Sequence, residues 1–189
     1  MNWLDLLLVV LFLKSAFEGF SRGFLLSAFR IIGVLTALYV GLFYRDMTVD
    51  FLKGNLNVEE AISPVLKMAR AGANGHAIQV GNLDTLIEMA LSALGFLIVF
   101  LAVQVLFTVV GFFLNGMLKF SNLSFQNRIL GLLLGLLSTS IWVALVSSVL
   151  TPFIMAWPGS ILEKGLSGSY ILQHLRFLDF IIPVVVKLI

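Results

Sequence analysis

The chain has 189 residues, of which 60% are hydrophobic and only 12% charged, and its mean hydropathy is +1.06, against about 45–50% apolar and about 25% charged in ordinary soluble domains. A soluble domain of this length leaves roughly a third of its unfolded-chain surface in water, and 12 basic plus 10 acidic residues are too few to cover it, so the solvent must be lipid. The net charge of +2 is scattered rather than clustered, which argues against nucleic acid as a partner, and the lack of cysteine excludes disulfides, Cys-ligated zinc and thiol catalysis.

A helix needs about twenty apolar residues to cross a hydrocarbon core of about 30 Å. Leu6 to Leu13 is wholly apolar but bracketed by Asp5 and Lys14, so a crossing here must use residues 2–20. A cleaved leader is the competing reading. Against it stand Asp5 in place of a basic n-region, the lack of a small-x-small cleavage site, and a second apolar run that follows at once. That second run, 24–43, holds one charge, Arg30. The runs 94–118 and 129–154 hold none. The prediction is an all-α integral membrane protein with four transmembrane helices, three spans plus an interfacial helix being the alternative.

Residues 44–93 form the one sizeable polar stretch, predicted to be an extramembrane loop with short amphipathic helices at the membrane surface. Asn57-Val-Glu-Glu60 offers a cap, Ile62, Val65, Leu66 and Ala69 then recur on one face, and Pro64 weakens the pattern. Ala71 to Gly75 breaks it, and Thr85-Leu-Ile-Glu88 restarts a helix with a capping box that can run on to Lys119. Residues 1–155 then make one membrane domain and 156–189 a tail. Pro158 and Gly159 stop the fourth span, and from Tyr170 the spacing of Gln173, Arg176 and Asp179 predicts an amphipathic interfacial helix.

Lys and Arg in short loops set orientation. Lys14, Arg22 and Arg30 surround the first bend, and Lys119 and Arg128 lie between spans three and four, so both turns should face the cytoplasm. Both termini are then predicted to be periplasmic, although Arg45 and Lys53 argue mildly the other way.

Few residues suggest chemistry. Lys14, Glu18 and Arg22 are spaced by four and can form a ladder on one helix face, with Arg30 within snorkelling reach of the headgroups; structural anchoring is favoured over an ion or substrate path. Gly131-Leu-Leu-Leu-Gly135, continued by Thr139, is a small-residue stripe for close helix packing, within the chain or in a homo-oligomer. Gln104, Asn115, Ser138 and Thr139 can bond between helices or, alternatively, line a narrow pore. His76 and His174 stand alone, and no Walker loop, nucleophile elbow or carboxylate pair is present. No metal, cofactor or catalytic residue is expected.

Two blocks carry a family resemblance. Asn2-Trp-Leu-Asp5 followed by Gly19-Phe-Ser-Arg22-Gly23-Phe, with Gly33 in the next span, and then Phe125-Gln-Asn127-Arg128-Ile-Leu-Gly131-Leu-Leu-Leu-Gly135, resemble the bacterial colicin V production protein family over about residues 1–155. The resemblance implies a small inner-membrane protein linked to peptide-toxin export and envelope homeostasis, with no catalytic residues to carry over. The leading expectation is a non-enzymatic accessory protein that supports toxin export or envelope maintenance through protein–protein contacts, with the lipid bilayer and other membrane proteins as its partners. The alternative is a component of a small oligomeric channel or transporter.

Overall fold

In the computed structural model the chain is helical, with no strand among the described residues, which are 2–56, 83–118 and 124–176 together with positions 58, 62–64, 67, 178 and 185. Three helices are long and apolar enough to cross a membrane: α1 (Trp3–Leu56), α2 (Leu83–Leu118) and α3 (Phe125–Ala156). Two short helices follow, α4 (Ile161–Ser167) and α5 (Tyr170–His174).

Helix α1 is broken at Gly23, whose φ of 76° and ψ of −178° are not helical. That combination is essentially confined to glycine. An unbroken helix would separate residues 18 and 30 by about 18 Å, yet Arg30 Nη1 lies 3.4 Å from Glu18 Oε2. The chain therefore doubles back at Gly23 into two arms, residues 3–22 and residues 24–56.

Arm two runs antiparallel to α2. Gly33 abuts the Phe107 ring, Gly41 the Phe96 ring, and Gly95 the Val49 side chain and the Arg45 backbone. Arm one packs along α3. The main core lies between arm two, α2 and α3, where Val34, Ala37, Ala93, Phe96, Phe100 and Leu145 are buried together with Leu178 and Val185 of the tail, and the Phe100 and Trp142 rings meet edge-on at 4.9 Å. Aromatic rings seated on glycines allow close approach in lipid, where dispersion drives association.

The helices overrun the limits set by hydropathy. Arm two continues to Leu56, so residues 44–56 are packed helix rather than loop, and α2 begins at Leu83, close to the restart expected at Thr85. Leu52, Leu86, Ile87, Ala90 and Leu91 are buried, and they extend the apolar seam past the stretch that lipid alone would select. Thr85, expected as a cap, lies inside the first turn of α2, beside Asp84, where a carboxylate complements the helix dipole. Ile62 is buried against this end of the bundle. Asn57, Glu59, Glu60, Val65, Leu66 and the 71–75 break lie outside the described residues.

The tail folds back on the bundle. Helix α4 was not anticipated, although Ser160-Ile-Leu-Glu163 is a local capping signal: Ser160 Oγ accepts from the Glu163 N–H at 3.1 Å, and the Glu163 carboxylate accepts from the Gly159 N–H. Helix α5 spans only five residues before Leu175 turns. The longer amphipathic helix expected from Tyr170 is therefore one turn within the described residues, and Asp179 lies outside them.

Candidate functional site

The residues singled out in sequence gather at two places, one at each end of the bundle. The first is the joint at Gly23. Ser15, Gly19 and Gly23, spaced by four on arm one, face Gly131 and Gly135 of α3. A Cβ on Gly19 would run into the Gly131 carbonyl, one on Gly131 into the Gly19 carbonyl, and one on Gly135 would stand 2.6 Å from the Ser15 carbonyl oxygen. Ser15 Oγ donates to the Gly135 carbonyl at 2.8 Å. Two backbones thus touch along two turns, with the Ser15 hydroxyl bonded between them.

Breaking a helix leaves N–H groups without partners, which is costly where no water can replace them. At the start of arm two, the Phe24 N–H donates to Asn127 Oδ1 at 2.9 Å. Asn127 thus caps arm two from another helix, 103 residues away. Asn127→Ala should lower stability by about 1–2 kcal/mol, read as a lower melting temperature in detergent, whereas Asn127→Asp keeps the acceptor and should lose less. Beside it, the Arg128 guanidinium lies 5.8 Å from the centroid of the Phe20 ring, and Phe20 meets Phe125 edge-on at 6.5 Å.

Glu18 is the hub of the charges at this end. Lys14 Nζ lies 3.9 Å away, Arg22 Nη2 3.3 Å and Arg30 Nη1 3.4 Å. The spacing-by-four ladder accounts for the first two. The third crosses the bend, so Arg30 has a carboxylate partner as well as the headgroups expected for it. These are partly exposed pairs, each worth about 0–1 kcal/mol, and Glu18→Gln should change stability by less than about 1 kcal/mol in a denaturation series.

The second place is a clamp between the start of α1 and the tail. Asp5 is fully buried. Its Oδ2 accepts from the Asn2 N–H at 2.8 Å, and its Oδ1 from Ser169 Oγ at 2.6 Å and from the Ile171 N–H at 3.2 Å. Asn2 Nδ2 donates to the Lys164 and Gly165 carbonyls at 2.9 and 3.2 Å, and Gly165 leaves room for the Trp3 ring. The first and last elements are therefore tied through groups about 165 residues apart.

Two grooves flank the bundle. One of about 400 Å³ runs between arm one, α3 and the tail helices, with Leu4, Leu8, Thr139 and Leu166 among its lining residues; the other, of about 430 Å³, lies between arm two and α2 and contains Arg22 and Gln104. Arg30 and Trp142 line both. Of the polar residues considered for a pore, Gln104 faces the second groove, Thr139 and Ser147 the first, buried Ser138 neither, and Ser147, Ser148 and Thr151 line a third groove of about 340 Å³. The Asn115 side chain and His76 lie outside what is described, and His174 bonds to the Tyr170 carbonyl. Among the described residues, no three metal-ligating side chains converge.

The family described as colicin V production protein matches residues 4–179, beyond the 1–155 carried by the two motif blocks and through most of the clamped tail. No curated protein and no solved structure matches the chain. With both motif blocks inside a match over nearly the whole length, and with long apolar helices built around them, the chain belongs to the colicin V production protein family.

Proposed function

We propose that this chain is a non-enzymatic scaffold of the bacterial inner membrane. It crosses four times, with both termini periplasmic, and supports colicin V production and envelope homeostasis by holding other membrane proteins. Family membership supports the role in colicin V production. The observation that carries the scaffold reading is how the motif residues are used. Asn2, Asp5, Gly19, Asn127, Gly131 and Gly135 each abut or satisfy a backbone group of another element, which builds a rigid body and leaves its long apolar flanks for neighbours and lipid.

Charge supports the orientation. At the bend end Lys14, Arg22 and Arg30 surround Glu18 and Arg128 stands beside Phe20, basic residues next to short turns of the kind that face the cytoplasm, whereas the opposite end mixes Asp46, Asp50, Asp84 and Glu88 with Arg45, Lys53 and Lys164. Buried Arg45, with Asp46 Oδ1 at 3.1 Å from its Nε, and Lys53 are the basic residues near the end of arm two that count toward the other orientation. Crosslinking in intact membranes followed by purification should recover the same specific membrane proteins, or the chain itself, in repeated experiments. Recovery of neither would overturn the scaffold reading.

A further inference from the structure

Beside the joint, the groove between arm two and the distal half of α2 combines charged and apolar lining residues. Its walls include Phe29, Leu101 and Phe112, and Arg22, Arg30 and Gln104 line it as well. Each arginine spends one nitrogen on Glu18, and a guanidinium has five N–H donors, so both forks keep donors for another partner. Gln104 Nε2 is buried and has no hydrogen-bond partner. A buried donor left unmade is costly, so this amide asks for an acceptor that enters the cleft.

The mouth of the cleft identifies the source of that acceptor. Leu101, Val105 and Phe112 are exposed along the α2 side, on a helix apolar enough to cross a membrane. Entry is therefore from the flank of the bundle, through hydrocarbon, and favours a molecule with an apolar tail. We propose that the cleft binds one anionic phospholipid, its phosphate held by Arg22 and Arg30 with the Gln104 amide, and an acyl chain lying on Phe29, Leu101 and Phe112. Two like charges beside one carboxylate leave a net positive site that zwitterionic lipid neutralises less well. The assignment of this lipid to the cytoplasmic leaflet rests on the proposed orientation; the charge match does not.

Trp142 lines the cleft and reports on it. In a Trp3→Phe, Trp157→Phe background, the purified full chain is reconstituted in vesicles containing phosphatidylglycerol or phosphatidylcholine with brominated acyl chains, and Trp142 quenching is measured. Brominated phosphatidylglycerol should quench at about tenfold lower mole fraction than brominated phosphatidylcholine. Arg22→Gln with Arg30→Gln should abolish that preference. If the double variant does not fold, Gln104→Leu, which leaves both arginines in the chain, should reduce the preference at least threefold. Equal quenching by the two lipids in the parent, a preference that survives in the folded variants, or reversal of the preference by millimolar inorganic phosphate would overturn the proposal. Because only purified chain and lipid are present, this result is independent of whether protein partners are found.

Discussion

Gly131→Leu should prevent accumulation of folded protein. Overpacking in a closed interface commonly costs about 1–3 kcal/mol where side chains can yield, but here the obstacle is main chain: a Cβ at 131 meets the Gly19 carbonyl and stands 2.6 Å from the Gly23 carbonyl carbon. Arm one would have to leave α3, exposing the Ser15–Gly135 hydrogen bond and uncoupling Asn127 from Phe24. The same outcome is expected for Gly19→Leu. Gly23→Ala acts by another route, since a φ of 76° with an extended ψ costs a side-chain-bearing residue about 1–3 kcal/mol, so it should accumulate but melt lower. Thermal unfolding in detergent, followed by size-exclusion of the soluble fraction, separates the three. Normal yield and melting of Gly131→Leu would contradict the packing described.

The second large effect is at the clamp. Asp5→Ala removes the acceptor for three donors, Asn2 N–H, Ser169 Oγ and Ile171 N–H, and buried donors left unmade cost about 1–3 kcal/mol each. The loss should fall on α4 and α5, because these two helices meet the rest of the chain over a small area, whereas the main core joins arm two, α2 and α3 and is entered beyond α5 by Leu175, Leu178 and Val185. Limited proteolysis should cut within residues 157–176 in Asp5→Ala at least tenfold faster than in the parent, with the long helices still protected. Ser169→Ala removes one donor and should show a smaller increase. Unchanged cleavage in Asp5→Ala would mean that the tail is held by other contacts.

What could be read from the sequence, and what could not, divides by distance along the chain. Apolar run length located the long helices because lipid selects for it directly, and glycines spaced by four marked the joint because close backbone approach admits little else. Hydropathy measures what lipid solvates and not where a helix ends, so the packed extension to Leu56 was assigned to a loop, whereas the start of α2 was legible in the capping signal at Thr85 to Glu88. The ladder Lys14, Glu18 and Arg22 was visible as an i,i+4 pattern. Arg30 joining it, Asn127 capping Phe24 and Asp5 holding Ser169 were not, since each bond closes only after the chain has folded back. Helix α4 was overlooked for a different reason: its capping signal at Ser160 and Glu163 is local and legible, but it follows Pro158-Gly159, which reads as a stop.

The account rests above all on the reversal at Gly23, and the absence of cysteine makes it directly measurable. Single cysteines at Ser21 and Gln126, exposed near the joint, and at Asn55 and Ser167, exposed at the far end, can be labelled with a membrane-impermeant maleimide in spheroplasts before and after permeabilisation. The account predicts that Asn55→Cys and Ser167→Cys label from outside and that Ser21→Cys and Gln126→Cys label only once the membrane is opened. Labelling of Ser21→Cys from the same face as Ser167→Cys, or from neither face, would contradict it.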